Sequence, residues 1–319
     1  MILSYEEIKK ITVGALYFEQ KDEGIRFYKY RPALESVWEA NSSALGLRAM
    51  CPSGVRLDFH TNSKHMTLES GGKGKFEIYI NDLLRYVVTP DSPRISINID
   101  TPFGEPLDDA RITVYLPAHV IDTLKCVELD DNAYVRPHKF DIKILFMGDS
   151  ITQGWESGFD SLSYANRVSR HFNADSVVQG VGGACFYENC LEPITFDPDW
   201  VIVSYGTNDF RKYKDIDDLR PMVRAFMQKL KEMYGDKKIF VVTPIWRANQ
   251  TPKFNLTFGE TREEIISQIE KYGFIHIDGA TLVPPMSCFF TDGLHPNSDG
   301  FSIYAENFIK AIRREIGLS

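Results

Sequence analysis

The stretch KILFMGDSITQG, Lys143 to Gly154, runs four apolar residues straight into Gly-Asp-Ser. A continuous apolar run that ends at turn residues fits a strand buried on both faces. Similar runs follow downstream: DSVVQ, WVIVSY, KIFVVTPIW and GFIHID. Amphipathic segments lie between them. In 221–234, Val223, Phe226, Met227, Leu230 and Met233 share one helical face, with Pro221 predicted in the first turn and Gly235 as the C-terminal cap. In 299–316, Phe301, Tyr304, Ala305, Phe308, Ile309, Ile312 and Ile316 form another stripe. Buried strands alternating with helices predict a three-layer α/β domain around a parallel sheet.

Upstream the period changes to two. VRLDFHT alternates Val55, Leu57 and Phe59 with polar residues, and FEIYI puts Phe76, Ile78 and Ile80 on one face. RISINID and RITVYLP repeat the pattern. Turn signals separate these runs, as in SGGKG and PDSP. The expectation is an all-β sandwich or jelly roll with little helix beyond a short turn near SYEEIKK. The period switches after NAYVRPHKFD, so the expected domains are 1–139 and 140–319.

Composition narrows the class. The chain has 319 residues, 43% hydrophobic and 25% charged, and a net charge of -8. That balance suits a globular protein and offers no electrostatic footprint for nucleic acid or an anionic membrane. No apolar run is long enough to cross a bilayer, and MILSYEEIKK lacks the layout of a signal peptide, which points to a cytoplasmic protein. The five cysteines are scattered and odd in number, as expected of reduced buried thiols. Cys185 and Cys190 have no further ligands at zinc-like spacing, so no metal is expected.

Function in parallel sheets collects at the carboxyl ends of the strands. Four features stand there in chain order. Gly148-Asp149-Ser150 ends the first run, with Asp149 expected as a cap. QGVGGA ends the second, with Gly180, Gly182 and Gly183. YGTNDF ends the third, with Asn208. TDGLHPNSDG precedes the last helix and holds Asp292 and His295. Each has an ordinary reading as a cap, turn or loop. Ser150 is not in a G-x-S-x-G elbow, and the glycines do not form G-x-G-x-x-G.

Taken together, and in this order, the four features resemble the SGNH, or GDSL-type, hydrolases from about Ile142 to the C-terminus. Ser150 matches that family's nucleophile, Gly183 its second-block glycine (with Gly182 as the one-residue alternative), Asn208 its asparagine, and Asp292 and His295 its D-x-x-H. The resemblance implies a flavodoxin-like three-layer domain. It also implies attack by Ser150 on an ester carbonyl, with His295 as base and Asp292 orienting it. The oxyanion would lie among the Ser150 and Gly183 N–H groups and the Asn208 amide. No cofactor is implied. A β-sandwich ahead of such a domain is similar to two-domain carbohydrate acetylesterases of the second carbohydrate esterase family. This implies short-chain, acetyl esters of carbohydrates, hydrolysed through an acyl-enzyme, with a small ester or acetylated oligosaccharide as substrate. Trp155, Phe210 and Trp246 lie just past strand ends and are candidate pocket residues. A lysophospholipase or acyl-thioesterase is the alternative within the fold, and a non-catalytic glycan-binding protein the alternative outside it. The sequence carries no signal of oligomeric state.

Overall fold

The computed structural model describes residues 1–317. Strands before Pro137 pair antiparallel, and those from Ile142 onward pair parallel. The change falls within the stretch where the sequence period switches.

The N-terminal half holds two antiparallel sheets. One orders strands 12–13, 56–61, 110–115, 76–80 and 83–88, with 136–137 also paired to 56–61. The other orders 17–21, 24–28, 124–129, 65–70 and 94–98. Leu57, Phe59, Leu68, Phe76, Ile78, Ile112, Val114 and Val127 fill the space between them. The alternation therefore identifies the inner face correctly. It does not reveal that the outer face of strand Arg56–Thr61 is covered as well. Arg56 and Asp58 are buried there, and Arg56 donates to the Ala174 carbonyl at 2.9 Å, on the first residue of a parallel strand. A polar face can be buried when another domain supplies its partners.

The expectation of little helix fails between residues 32 and 50. A 3-10 turn at Pro32–Leu34 leads into helices Glu35–Glu39 and Ser43–Ala49. Leu34, Trp38, Leu45 and Ala49 pack with Leu145, Val177 and Ala184 of the second half, so this segment belongs to the core beneath the parallel sheet. Neither helix completes two full turns, and contacts far away in sequence sustain them.

The parallel sheet orders strands 174–180, 142–148, 200–204, 238–242 and 275–277. The four strands from 142 to 242 bury both faces, as continuous apolar runs require, while the edge strand 275–277 buries only Ile277. Register levels the carboxyl ends: Gly148 pairs with Gly180 and with Ser204, and Ser204 pairs with Val242. The loops at 149–155, 181–187, 205–208 and 243–249 therefore leave one edge together. Helix Ile216–Tyr234 begins earlier than Pro221 suggests. Asp215 caps it by accepting from the Asp217 and Asp218 N–H groups, both at 3.1 Å. Pro221 sits in the second turn, and Gly235 is the C-cap.

Candidate active site

Strand Ile142–Gly148 turns directly into helix Ser150–Gln153. A Cβ on Gly148 would lie 2.0 Å from Thr152 Oγ1, and one on Gly180 would lie 2.3 Å from the Gln153 N. Glycine at both strand ends is what lets the short helix fold back over the sheet. Asp149 caps that helix, its Oδ1 accepting from the Ile151 N–H at 2.9 Å. Burial pushes its carboxyl up to about 7. The cap fixes the turn that presents Ser150.

Ser150 Oγ lies 2.8 Å from His295 Nε2. His295 Nδ1 lies 2.8 Å from Asp292 Oδ2. Asp292 Oδ1 accepts from the His295 and Leu294 N–H groups at 2.8 and 2.9 Å. Partial burial works against the charge of this carboxylate, but the three donations outweigh it and hold it below the usual carboxylate range. A permanent carboxylate on Nδ1 leaves Nε2 as the atom able to accept the serine proton.

The candidate donors to an anion lie on the neighbouring loops. The Gly182 N–H is spent on Gln153 Oε1 at 2.7 Å. Gly183, at φ +88°, has no acceptor for its N–H among the described residues. Gly183 rather than Gly182 is therefore the residue with a free N–H to offer. Asn208 is anchored through Nδ2 to the Ala184 carbonyl at 3.0 Å, which leaves its second amide hydrogen to point elsewhere. Below these loops lies Asp209, fully buried. Burial lifts its carboxyl to about 7, Oδ1 accepts from the Phe186 N–H at 3.1 Å, and Oδ2 has no partner among the described residues.

Residues 146–303 match the GDSL-like lipase/acylhydrolase family. The second half of the chain is a GDSL-like lipase/acylhydrolase domain. The family places the chain among the SGNH ester hydrolases. Comparison with curated proteins found no match. Among solved structures, the salicylyl-acyltransferase SsfX3 of a tetracycline biosynthetic pathway is similar at 17% identity and a TM-score of 0.79, covering 96% of this chain and 93% of that one. A family two carbohydrate esterase from Clostridium thermocellum, in complex with cellohexaose, aligns at 15% identity and TM-score 0.66, covering 96% and 99%. The acetyl xylan esterase Est2A from Butyrivibrio proteoclasticus aligns at 14% and 0.66, covering 99% and 98%. At these identities the likeness is one of fold, and it extends over both halves of the chain.

The acylhydrolase domain does not build its site alone. Arg48, from helix Ser43–Ala49, donates Nη1 to the Gly182 carbonyl at 2.7 Å. That carbonyl shares a peptide group with the Gly183 N–H. A guanidinium on the oxygen fixes the plane of this peptide and polarises its N–H toward stronger donation. Arg48 also lies 5.3 Å from the centroid of the Trp155 ring. Trp155 stands between His119 and His295, at centroid distances of 4.9 and 6.4 Å. Arg48 and His119 were not among the sequence candidates. The spacing of Leu34, Trp38, Leu45 and Ala49 is the signal that would have placed helix there.

The aromatic candidates separate. Trp155 is half-buried beside the imidazole. Phe210 is fully buried, packed on Phe258 at 5.4 Å and under the Arg247 guanidinium, so it is core and not pocket wall. Trp246 is half-buried and packs on Phe290 at 5.0 Å, against the core on the other side of the sheet.

Proposed function

We propose that this protein is a serine esterase that removes short acyl groups, acetyl above all, from carbohydrates. The observation that carries the proposal is the run of two 2.8 Å contacts from Ser150 to His295 to Asp292, beside the uncommitted Gly183 N–H. Ser150 Oγ attacks the ester carbonyl as its proton passes to His295 Nε2. The tetrahedral oxyanion accepts from the Ser150 and Gly183 N–H groups and the Asn208 amide. His295 returns the proton to the departing sugar hydroxyl, leaving an acyl-Ser150. Water then attacks, giving its proton to the same nitrogen, which passes it to Ser150 Oγ as the acyl–oxygen bond breaks and the acid leaves.

Two features favour a short acyl group on a polyol. The apolar residues beneath the site are already packed on each other: Phe186 on Tyr205 at 5.4 Å and on Phe226 at 5.3 Å, and Phe210 on Phe258. The rim carries Arg48, His119 and the Trp155 ring, a mixture of donors and an aromatic face that suits sugar hydroxyls. The acetyl xylan and family two carbohydrate esterases share the two-part architecture.

Hydrolysis of p-nitrophenyl esters from acetate to octanoate, with acetylated xylo-oligosaccharide alongside, tests the proposal. The expected result is fastest turnover of acetate, release of acetate from the sugar, and loss of both in Ser150→Ala. A preference for octanoate would move the substrate to lipids or thioesters. Inactivity of the wild type on every ester would remove the esterase reading.

A further inference from the structure

A second concavity lies away from Ser150, between the sandwich and two helices of the acylhydrolase domain. It has a volume of about 690 Å³, and neither Ser150, Asp292 nor His295 lines it. Helix Ser298–Glu315 faces it with residues three and four apart, from Ser302 to Arg313. The last turns of helix Tyr164–His171 add Arg167 and Arg170, and strand Ala110–Tyr115 adds Arg111.

Five arginines and lysines line this cleft (Arg111, Arg167, Arg170, Lys310 and Arg313) against two carboxylates, Asp82 and Glu306. The whole chain carries -8, so the local excess of cations runs against its overall balance. Neither carboxylate pairs with Arg167 or Arg170. Glu306 is tied to Lys310 at 2.6 Å and Asp82 to Arg111 at 3.5 Å. Arg111 is otherwise neutralised from behind by Asp58. Arg167 and Arg170 form no ion pair with any carboxylate among the described residues: Arg167 donates Nε to the Leu162 carbonyl at 2.8 Å, and Arg170 donates to the Tyr115 hydroxyl at 2.9 Å. Burial, with Arg170 as a like-charged neighbour, holds the Arg167 guanidinium below its ordinary range. Basic residues at a helix C-terminus complement its dipole. The dipole gives no reason to half-bury two of them side by side at a domain junction with no carboxylate in ion-pair reach, Asp299 and Glu77 acting only from farther off.

We propose that this cleft binds a small phosphorylated ligand carrying two or more phosphate groups. Guanidinium forks match phosphate oxygens in pairs, and two of them converge here with Lys310 at the rim. The volume falls in the range of small-molecule sites and exceeds what a single phosphate fills. Because Arg111 comes from the sandwich and the others from the acylhydrolase domain, the ligand would bridge the two halves.

Inorganic tripolyphosphate is the probe, titrated calorimetrically into the full chain at physiological salt, with citrate and phosphatidylglycerol vesicles as comparison arms. The expected result is saturable binding of one tripolyphosphate, weakened at least about tenfold by Arg167→Gln and by Lys310→Glu. Hydrolysis of p-nitrophenyl acetate should be unchanged in both variants. Lys310 is exposed, so its variant reports on binding even if Arg167→Gln fails to fold. Absence of saturable binding, equal affinity for citrate, binding insensitive to both substitutions, or capture by vesicles without tripolyphosphate binding would each overturn the proposal.

Discussion

Two sets of aspartates stand near Ser150, and their surroundings pull them in opposite directions. Asp292 sits on a half-exposed loop and receives three donations, which keep it ionised. Asp149 and Asp209 lie fully buried behind the strand ends with one backbone donation each, and burial lifts both carboxyls to about 7. The residue type is the same. The number of donors and the access of water decide whether it serves as a charge or as a shape. Asp292 holds an imidazole; Asp149 holds a turn.

The sharpest break of this comparison is at Ser150, the nucleophile proposed above. Ser150→Ala should lower kcat by about 10⁴-fold or more, read as acetate release. If a tenth of the activity remained, another nucleophile would be at work. Asp292→Asn should cost about 10³- to 10⁴-fold in kcat through the wrong imidazole tautomer. Asp149→Asn keeps a capping oxygen and should stay within about tenfold of wild type. Equal losses in the two variants would erase the distinction between charge and shape.

Asn208→Ala should cost about 10²- to 10³-fold in kcat, the usual loss for one oxyanion donor. A change in KM alone would make Asn208 a substrate contact. Arg48→Ala should lower kcat by about tenfold, in keeping with a charge-assisted bond worth about 1.5–3 kcal/mol, with partial recovery in Arg48→Lys. An unaltered kcat would leave Arg48 a purely structural contact.

The smallest effect is on stability. Asp149 and Asp209 have carboxyls raised to about 7 in the fold against an ordinary 3.8. The folded state therefore binds more protons than the unfolded chain between about pH 4 and 7, and stability falls as pH rises through that window. Asp209→Asn should flatten the fall by about 1 kcal/mol or more, a few degrees in Tm across pH 5 to 8. Asp292 works the other way: its contribution is present above the ordinary value and lost as pH falls through its lowered one. A melting curve whose pH slope is identical in wild type and Asp209→Asn would contradict the buried-acid account.

The placement of Ser150, Gly183, Asn208, Asp292 and His295 near one sheet edge was legible in the sequence because each follows a strand end or sits on a tight local loop. Register in a parallel sheet then gathers such ends on one edge, without any detail of packing. Arg48 and His119 were not legible. Arg48 reaches a carbonyl 134 residues away, and nothing in its own neighbourhood encodes that partner. The four-residue spacings Leu34–Trp38 and Leu45–Ala49 point to helix, but a helix alone names no partner for Arg48. Phe210 was misplaced for a related reason. Position after a strand end says where a residue starts, not whether a neighbouring helix residue such as Phe258 closes over it. The outer face of the sandwich sheet failed in the same way, since Arg56 and Asp58 read as solvent-facing until their distant partners are known.

The grip of Arg48 on the Gly182 carbonyl and of Gln153 on the Gly182 amide has a consequence for the life of the chain. On the ribosome the sandwich and its helical insert emerge first, and the hydrolytic loops emerge later without their final orientation. The Gly182–Gly183 peptide gains its Arg48 contact only when the later-made loop meets the earlier-made helix, so a molecule whose two halves have not met lacks that contact.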